Sequence, residues 1–139
     1  MKGFVGTTTV LLGIALILSA CAVIRGDHTG PVISDISTSD KVVVISDCPS
    51  TAVTITAKIM DESNITSVFL WVRVGTDGPF TSIRMDRQND ISTAKVAGSD
   101  LQGHGYGAID FYITAEDEEG NKSESLHDDS IQFLPCVNN

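Results

Sequence analysis

Positive charge is scarce in this chain. Its 139 residues carry 9 Lys plus Arg against 18 Asp plus Glu, a formal net charge of -9. Phosphate neutralisation needs a basic surface, so the balance argues against nucleic acid as a partner. It argues equally against a polybasic membrane patch. Aromatics are few, 6% of residues with one Trp and two Tyr, so any that lie outside a core are informative. Only 3 cysteines occur, and the His residues stand far apart, which leaves no zinc-ligand spacing. There is no G-x-S-x-G elbow, no P-loop and no H-E-x-x-H. No cofactor is expected, and nothing orders a Ser, a His and an Asp as a triad. What remains is 42% hydrophobic and 14.8 kDa. That is too apolar for disorder and too small for separate cofactor and substrate domains.

The apolar residues are unevenly placed. Lys2 precedes the run Val10-Leu11-Leu12-Gly13-Ile14-Ala15-Leu16-Ile17-Leu18. This has the length of a signal-peptide core, shorter than the ~20 residues that a spanning helix needs. Leu18-Ser19-Ala20-Cys21 resembles the lipobox of bacterial lipoproteins. The resemblance implies a signal peptide over residues 1–20, cleaved before Cys21, and diacylglycerol and further palmitate-type acylation of Cys21. The alternatives are an uncleaved anchor or ordinary cleavage after Ala20. Two or more acyl chains, at roughly 0.8 kcal/mol per buried CH2, anchor a protein stably. Ala22, rather than Asp, follows the Cys; by the same resemblance it does not retain the protein at an inner membrane. Residues 21–30 then read as the lipidated Cys and a flexible tether.

From Pro31 onward the hydrophobic period is two, the signature of half-buried strands. Val53, Ile55, Ala57 and Ile59 alternate with polar residues, as do Ile109, Phe111, Ile113 and Ala115, and Val68, Leu70, Val72 and Val74 alternate with Phe69, Trp71 and Arg73. Weaker strands fit residues 32–37, 41–46, 80–87, 92–96 and 122 to about 133. Turn-forming Gly, Pro, Asn and Asp separate them. About seven short strands without an amphipathic helix predict an all-β, two-sheet antiparallel sandwich over residues 31–139.

Two strings resemble bacterial immunoglobulin-like domains. They are Asp61-x-x-x-Ile65-x-x-Val68-x-Leu70 and Tyr112-x-x-Ala115-x-Asp117-x-x-Gly120-Asn121. The resemblance implies an immunoglobulin-like topology, in which the strands bearing Trp71 and Tyr112 are neighbours. It implies little about function, because such domains serve as spacers, adhesion modules and enzyme appendages. No Cys pair brackets Trp71 from the expected second and sixth strands, so the antibody inter-sheet disulfide is not implied.

With Cys21 assigned to lipid, Cys48 and Cys136 remain as an even pair in an exported chain, and a disulfide is the default reading. Free thiols are the alternative. Closing a loop of about 88 residues would stabilise the fold by roughly 4–5 kcal/mol in the chain-entropy account. Acidic residues gather near the last hairpin. Asp117, Glu118 and Glu119 are weak candidates for calcium, since hard cations want carboxylate oxygens. Against that stands a solvated hairpin whose Asp117, Gly120 and Asn121 simply form the turn. The Gly-rich patch 103–107 reads as the connection into the Ile109 strand, with Tyr106 packing its ring on the sandwich and its hydroxyl bonded to backbone; a ligand-binding loop is the alternative.

Strand parity puts Phe69, Trp71 and Tyr112 on the face opposite the core residues. They are candidate anchors of a partner surface. Cover by the Phe80 segment or the C-terminal tail, or a wide core that takes in Trp71, are the alternatives. The sum is a non-catalytic lipoprotein in the cell envelope, held to a membrane by its lipid on the extracytoplasmic side, with an unidentified protein or glycan as ligand. The other readings are a structural or accessory subunit of an envelope complex, or a calcium-dependent binding module.

Overall fold

The computed structural model describes residues 26–44 and 51–136. They form ten strands: β1 (Val32–Thr38), β2 (Val42–Val44), β3 (Ala52–Met60), β4 (Ile65–Val74), β5 (Thr81–Arg84), β6 (Asp86–Gln88), β7 (Ile91–Ala97), β8 (Gly107–Asp117), β9 (Lys122–Glu124) and β10 (Asp128–Leu134). A single 3-10 turn, Gly98–Leu101, is the helical element among the described residues. It is far too short to cross a membrane.

The strands make two sheets. One runs β1-β3-β7-β6. The other runs β2-β10-β8-β4-β5, with β9 also paired to β8. Every pairing is antiparallel except β2 with β10, where Leu134 lies opposite Val44 in a parallel ladder. The expected all-β sandwich is what folds. Alternation explains the core directly, since successive side chains on a strand face opposite sides. Val53, Ile55, Ala57 and Ile59 of β3 face inward with Ala94 and Val96 of β7. Against them lie Val68, Leu70 and Val72 of β4, Ile109, Phe111, Ile113 and Ala115 of β8, and Ile131 and Phe133 of β10. All of these belong to one buried cluster.

Two of the weaker runs break in ways that polarity alone does not predict. Residues 80–87 do not make one strand. β5 pairs with β4, the chain then crosses between layers at buried Met85, and β6 pairs with β7. Burying the Met85 side chain between the sheets is the physical reason for the break. Residues 122–133 also split. β9 and β10 occupy successive stretches of the same edge of β8. Between them the Ser125 hydroxyl accepts from the Ile113 N–H at 2.9 Å, in the place of a ladder carbonyl. That bulge turns Leu126 out to solvent, 91% exposed, and aims His127 back over the sheet.

Candidate functional site

The middle of the six-stranded sheet carries the aromatic residues singled out from parity. Trp71 lies directly opposite Tyr112 in the β4–β8 ladder, and Phe69 opposite Thr114. All three aromatics are half-buried on the outer face while their strand neighbours are fully inside. The Trp71 and Tyr112 rings stack, with centroids 6.1 Å apart and planes 8° from parallel. Phe69 leans on Trp71 at 6.5 Å. The Trp71 indole N–H donates to the Thr114 hydroxyl at 2.9 Å, which satisfies its polar edge and fixes the ring.

Four further residues complete this face. His127, delivered by the bulge, stacks on Tyr112 at 4.5 Å. Phe80 meets Tyr112 edge-on at 5.0 Å, and the Arg73 guanidinium lies 4.4 Å over the Phe80 ring, close enough for a cation–π contact. Asp110 joins them: its Oδ2 accepts from Arg73 at 2.8 Å and its Oδ1 faces His127 Nδ1 at 2.7 Å. Burial, then the charges of Glu124 and Asp110, raise the Tyr112 phenol above its ordinary value, with Arg73 acting in opposition. Arg73 and Asp110 share the outward parity of Trp71 and Tyr112 and pair directly in the ladder, so the same parity argument finds them once polar residues are included. His127 depends on the bulge and leaves no such signal.

Phe80 and His127 therefore cover the Tyr112 end. The Phe69–Trp71 end stays open. There a groove of about 420 Å³ is lined by Phe69, Trp71, Thr114, Glu116, Lys122 and Glu124. Its floor is an indole and a phenyl ring, and its rim offers carboxylates, a hydroxyl and an ammonium. Such a surface contacts a ligand through stacking and hydrogen bonds; nothing in it is arranged as a nucleophile with a base.

The acidic hairpin resolves into separate roles. Asp117 is almost fully buried, at 2% exposure. Its two carboxylate oxygens accept from the Asn121 backbone N–H at 2.8 Å and the Asn121 side-chain amide at 2.7 Å. Gly120 supplies the left-handed residue of that turn, at φ 85°. Glu118 is exposed and accepts from the Asn64 amide, and Glu119 is exposed at the turn tip. The turn role foreseen for Asp117, Gly120 and Asn121 is thus the geometry found.

Part of the presumed tether is docked against this turn. The Asn121 amide donates to the Asp27 carbonyl at 3.1 Å, and the Ser63 hydroxyl to Asp27 Oδ2 at 3.1 Å. Gly30 sits so close to β9 that a Cβ there would lie 2.5 Å from Ser123 Oγ. Residues 27–30 therefore belong to the body.

Elsewhere, Tyr106 rests its ring on Phe133 at 5.3 Å but is 54% exposed. Its packing is as expected, while its hydroxyl makes no hydrogen bond among the described residues. Cys136 follows β10 and is engaged with a partner. Cys21 and Cys48 lie outside the described residues. No protein-family model matches the chain, and no curated protein matches it in sequence.

Proposed function

We propose that this protein is a non-catalytic, lipid-anchored module of the cell envelope that binds a ligand through the outer face of its six-stranded sheet. One observation carries the reading: Phe69, Trp71 and Tyr112 form a connected aromatic surface outside the core, open at the Phe69–Trp71 end. A sheet needs no aromatic residues on its solvent face, and half-exposed aromatics concentrate binding energy where they cluster. The immunoglobulin-like assignment is supported by the two sequence strings and by a sandwich in which the strands of Trp71 and Tyr112 are neighbours. The anchor rests on the lipobox resemblance at Cys21.

The Cys48–Cys136 disulfide belongs to the same proposal. It is supported by the parallel pairing of β2 with β10. Leu134 and Val44 leave the sheet side by side in the same direction, two residues before Cys136 and four before Cys48. Mass spectrometry of the mature protein tests both modifications. The expected mass carries acyl groups on Cys21 and is lower by two hydrogens for an oxidised pair. An unacylated product or two alkylatable thiols would overturn the corresponding part.

Binding is testable without labels, because Trp71 is the single Trp of the chain. Its emission should shift when peptidoglycan fragments, envelope polysaccharides or extracellular glycans and proteins occupy the groove, and Phe69→Ala should weaken that response. Binding that leaves Trp71 emission unmoved would place the contact elsewhere.

A further inference from the structure

The acidic hairpin does not supply three ligands of its own. Instead Asp117 meets two carboxylates from distant segments: Asp27 of the N-terminal stretch and Asp61 of the β3–β4 turn. Taking one ligand oxygen from each, the three lie within 4.8 Å of one another. None of the ion pairs among the described residues involves any of them. Like charges this close destabilise the fold unless a cation sits between them or one of them takes up a proton.

Proximity of acids alone decides nothing, but a second observation points the same way. Asp61 Oδ1 accepts the Glu62 N–H at 2.7 Å. Asp61 Oδ2 is closed off from solvent and has no hydrogen-bond donor at all. A buried carboxylate oxygen without a partner is costly and rare in a native fold, and an unseen ion is one of its ordinary explanations. Its neighbour is another carboxylate, Asp27, and two carboxylates that meet need a cation or a proton between them. Asp117 accepts one bond from Asn121 on each carboxylate oxygen, which leaves a lone pair on each. Asp27 takes its donors from the Thr29 N–H and hydroxyl and from Ser63.

We propose that Asp27, Asp61 and Asp117 hold a divalent cation, with Ca2+ the ion they fit. The donor atoms are all hard oxygens, with no imidazole or thiolate among them, which favours Ca2+ over transition metals. Three carboxylates leave several positions of a 6–8-coordinate Ca2+ for water or nearby hydroxyl and carbonyl oxygens. The ligands come from three segments, so the ion ties residues 27–30 to the β3–β4 and β8–β9 turns. It thereby fixes the direction in which the chain leaves the body toward its N-terminus. This site is separate from the aromatic face and does not rest on the binding role proposed for it.

The test is isothermal titration of the mature, EDTA-stripped protein with CaCl2, alongside thermal unfolding in Ca2+, Mg2+ and EDTA. One saturable site is expected, with melting raised by about 5 °C or more in millimolar Ca2+, since an ion that binds only the folded state stabilises it by mass action. Asp61→Asn should abolish binding and the shift, and so should Asp27→Asn, which lies outside the strands and leaves the sheets untouched should Asp61→Asn misfold. Glu119→Gln should leave both intact. Hydrogen exchange of residues 26–31 should slow on adding Ca2+. No heat and no shift with either ion, or undiminished binding by Asp27→Asn, would overturn the proposal.

Discussion

The two sheets of this sandwich obey the same alternation yet treat their outer faces differently. On the four-stranded sheet, β3 and β7 turn Thr54, Thr56, Lys58, Thr93 and Lys95 outward, between core residues such as Ile55 and Ala94. On the six-stranded sheet, β4 and β8 turn Phe69, Trp71 and Tyr112 outward between Leu70 and Phe111. The first face shows what the fold itself requires: β-branched and charged residues that suit a pleated surface and cost nothing in water. The second carries a stacked aromatic assembly instead. This assembly, rather than the core, carries the functional reading.

The comparison can be broken or sharpened by substitution. Phe111→Ala removes a fully buried ring and should cost about 3–5 kcal/mol in chemical denaturation, a loss common to any sandwich and silent about function. Trp71→Ala should cost less, roughly 1–2 kcal/mol, because the ring is half-buried and gives up mainly its stacking and one hydrogen bond. If Trp71→Ala cost as much as Phe111→Ala, the outer face would be a second core and the contrast would fail. Asp110→Asn should cost about 1 kcal/mol or less, the range of partly exposed ion pairs, and it should loosen Arg73 and His127 together, visible as altered His127 chemical shifts. Thr56→Ala, on the opposite sheet, should fall within about 0.5 kcal/mol of wild type.

A pH titration adds a further contrast. The Asp27 carboxyl is lowered from 3.8 to about 2 in the folded protein. A group with a depressed folded value contributes stability above its unfolded value, and that contribution disappears as pH falls through the folded one. The stability held by Asp27 should therefore be lost between about pH 4 and pH 2. Thr29→Ala, which removes the largest cause of the shift, should move that loss to higher pH and shrink it. Asp128 behaves in the same sense: burial raises its carboxyl, but the Ser130 hydroxyl and N–H, with Lys41, together outweigh that and lower it.

Much of this architecture was legible in the sequence because alternation is a local rule. The inward sets of β3, β4 and β8 follow from period two alone, and so does the outward position of Phe69, Trp71 and Tyr112. What was not legible depends on contacts across long separations. Nothing near Met85 says that the chain changes sheets there; the reason is the space between layers that its side chain fills. Nothing near Ser125 announces that its hydroxyl will enter the β8 ladder, yet that bulge brings His127 onto Tyr112. The acidic junction was half visible. Asp117 stood out in its hairpin, but its companions Asp27 and Asp61 come from other segments, and the neighbours Glu118 and Glu119 that looked equally suitable point to solvent.

The central claim is that the aromatic face, and not the sheet opposite, is where this protein meets its ligand. The most direct measurement compares two double variants, Phe69→Ala with Trp71→Ala and Thr54→Ala with Thr56→Ala, for binding to the ligand that shifts Trp71 emission in the wild type, with each variant's fold verified by circular dichroism. The account predicts at least a tenfold loss of affinity for the first and wild-type affinity for the second. Equal affinities for the two folded variants would contradict it.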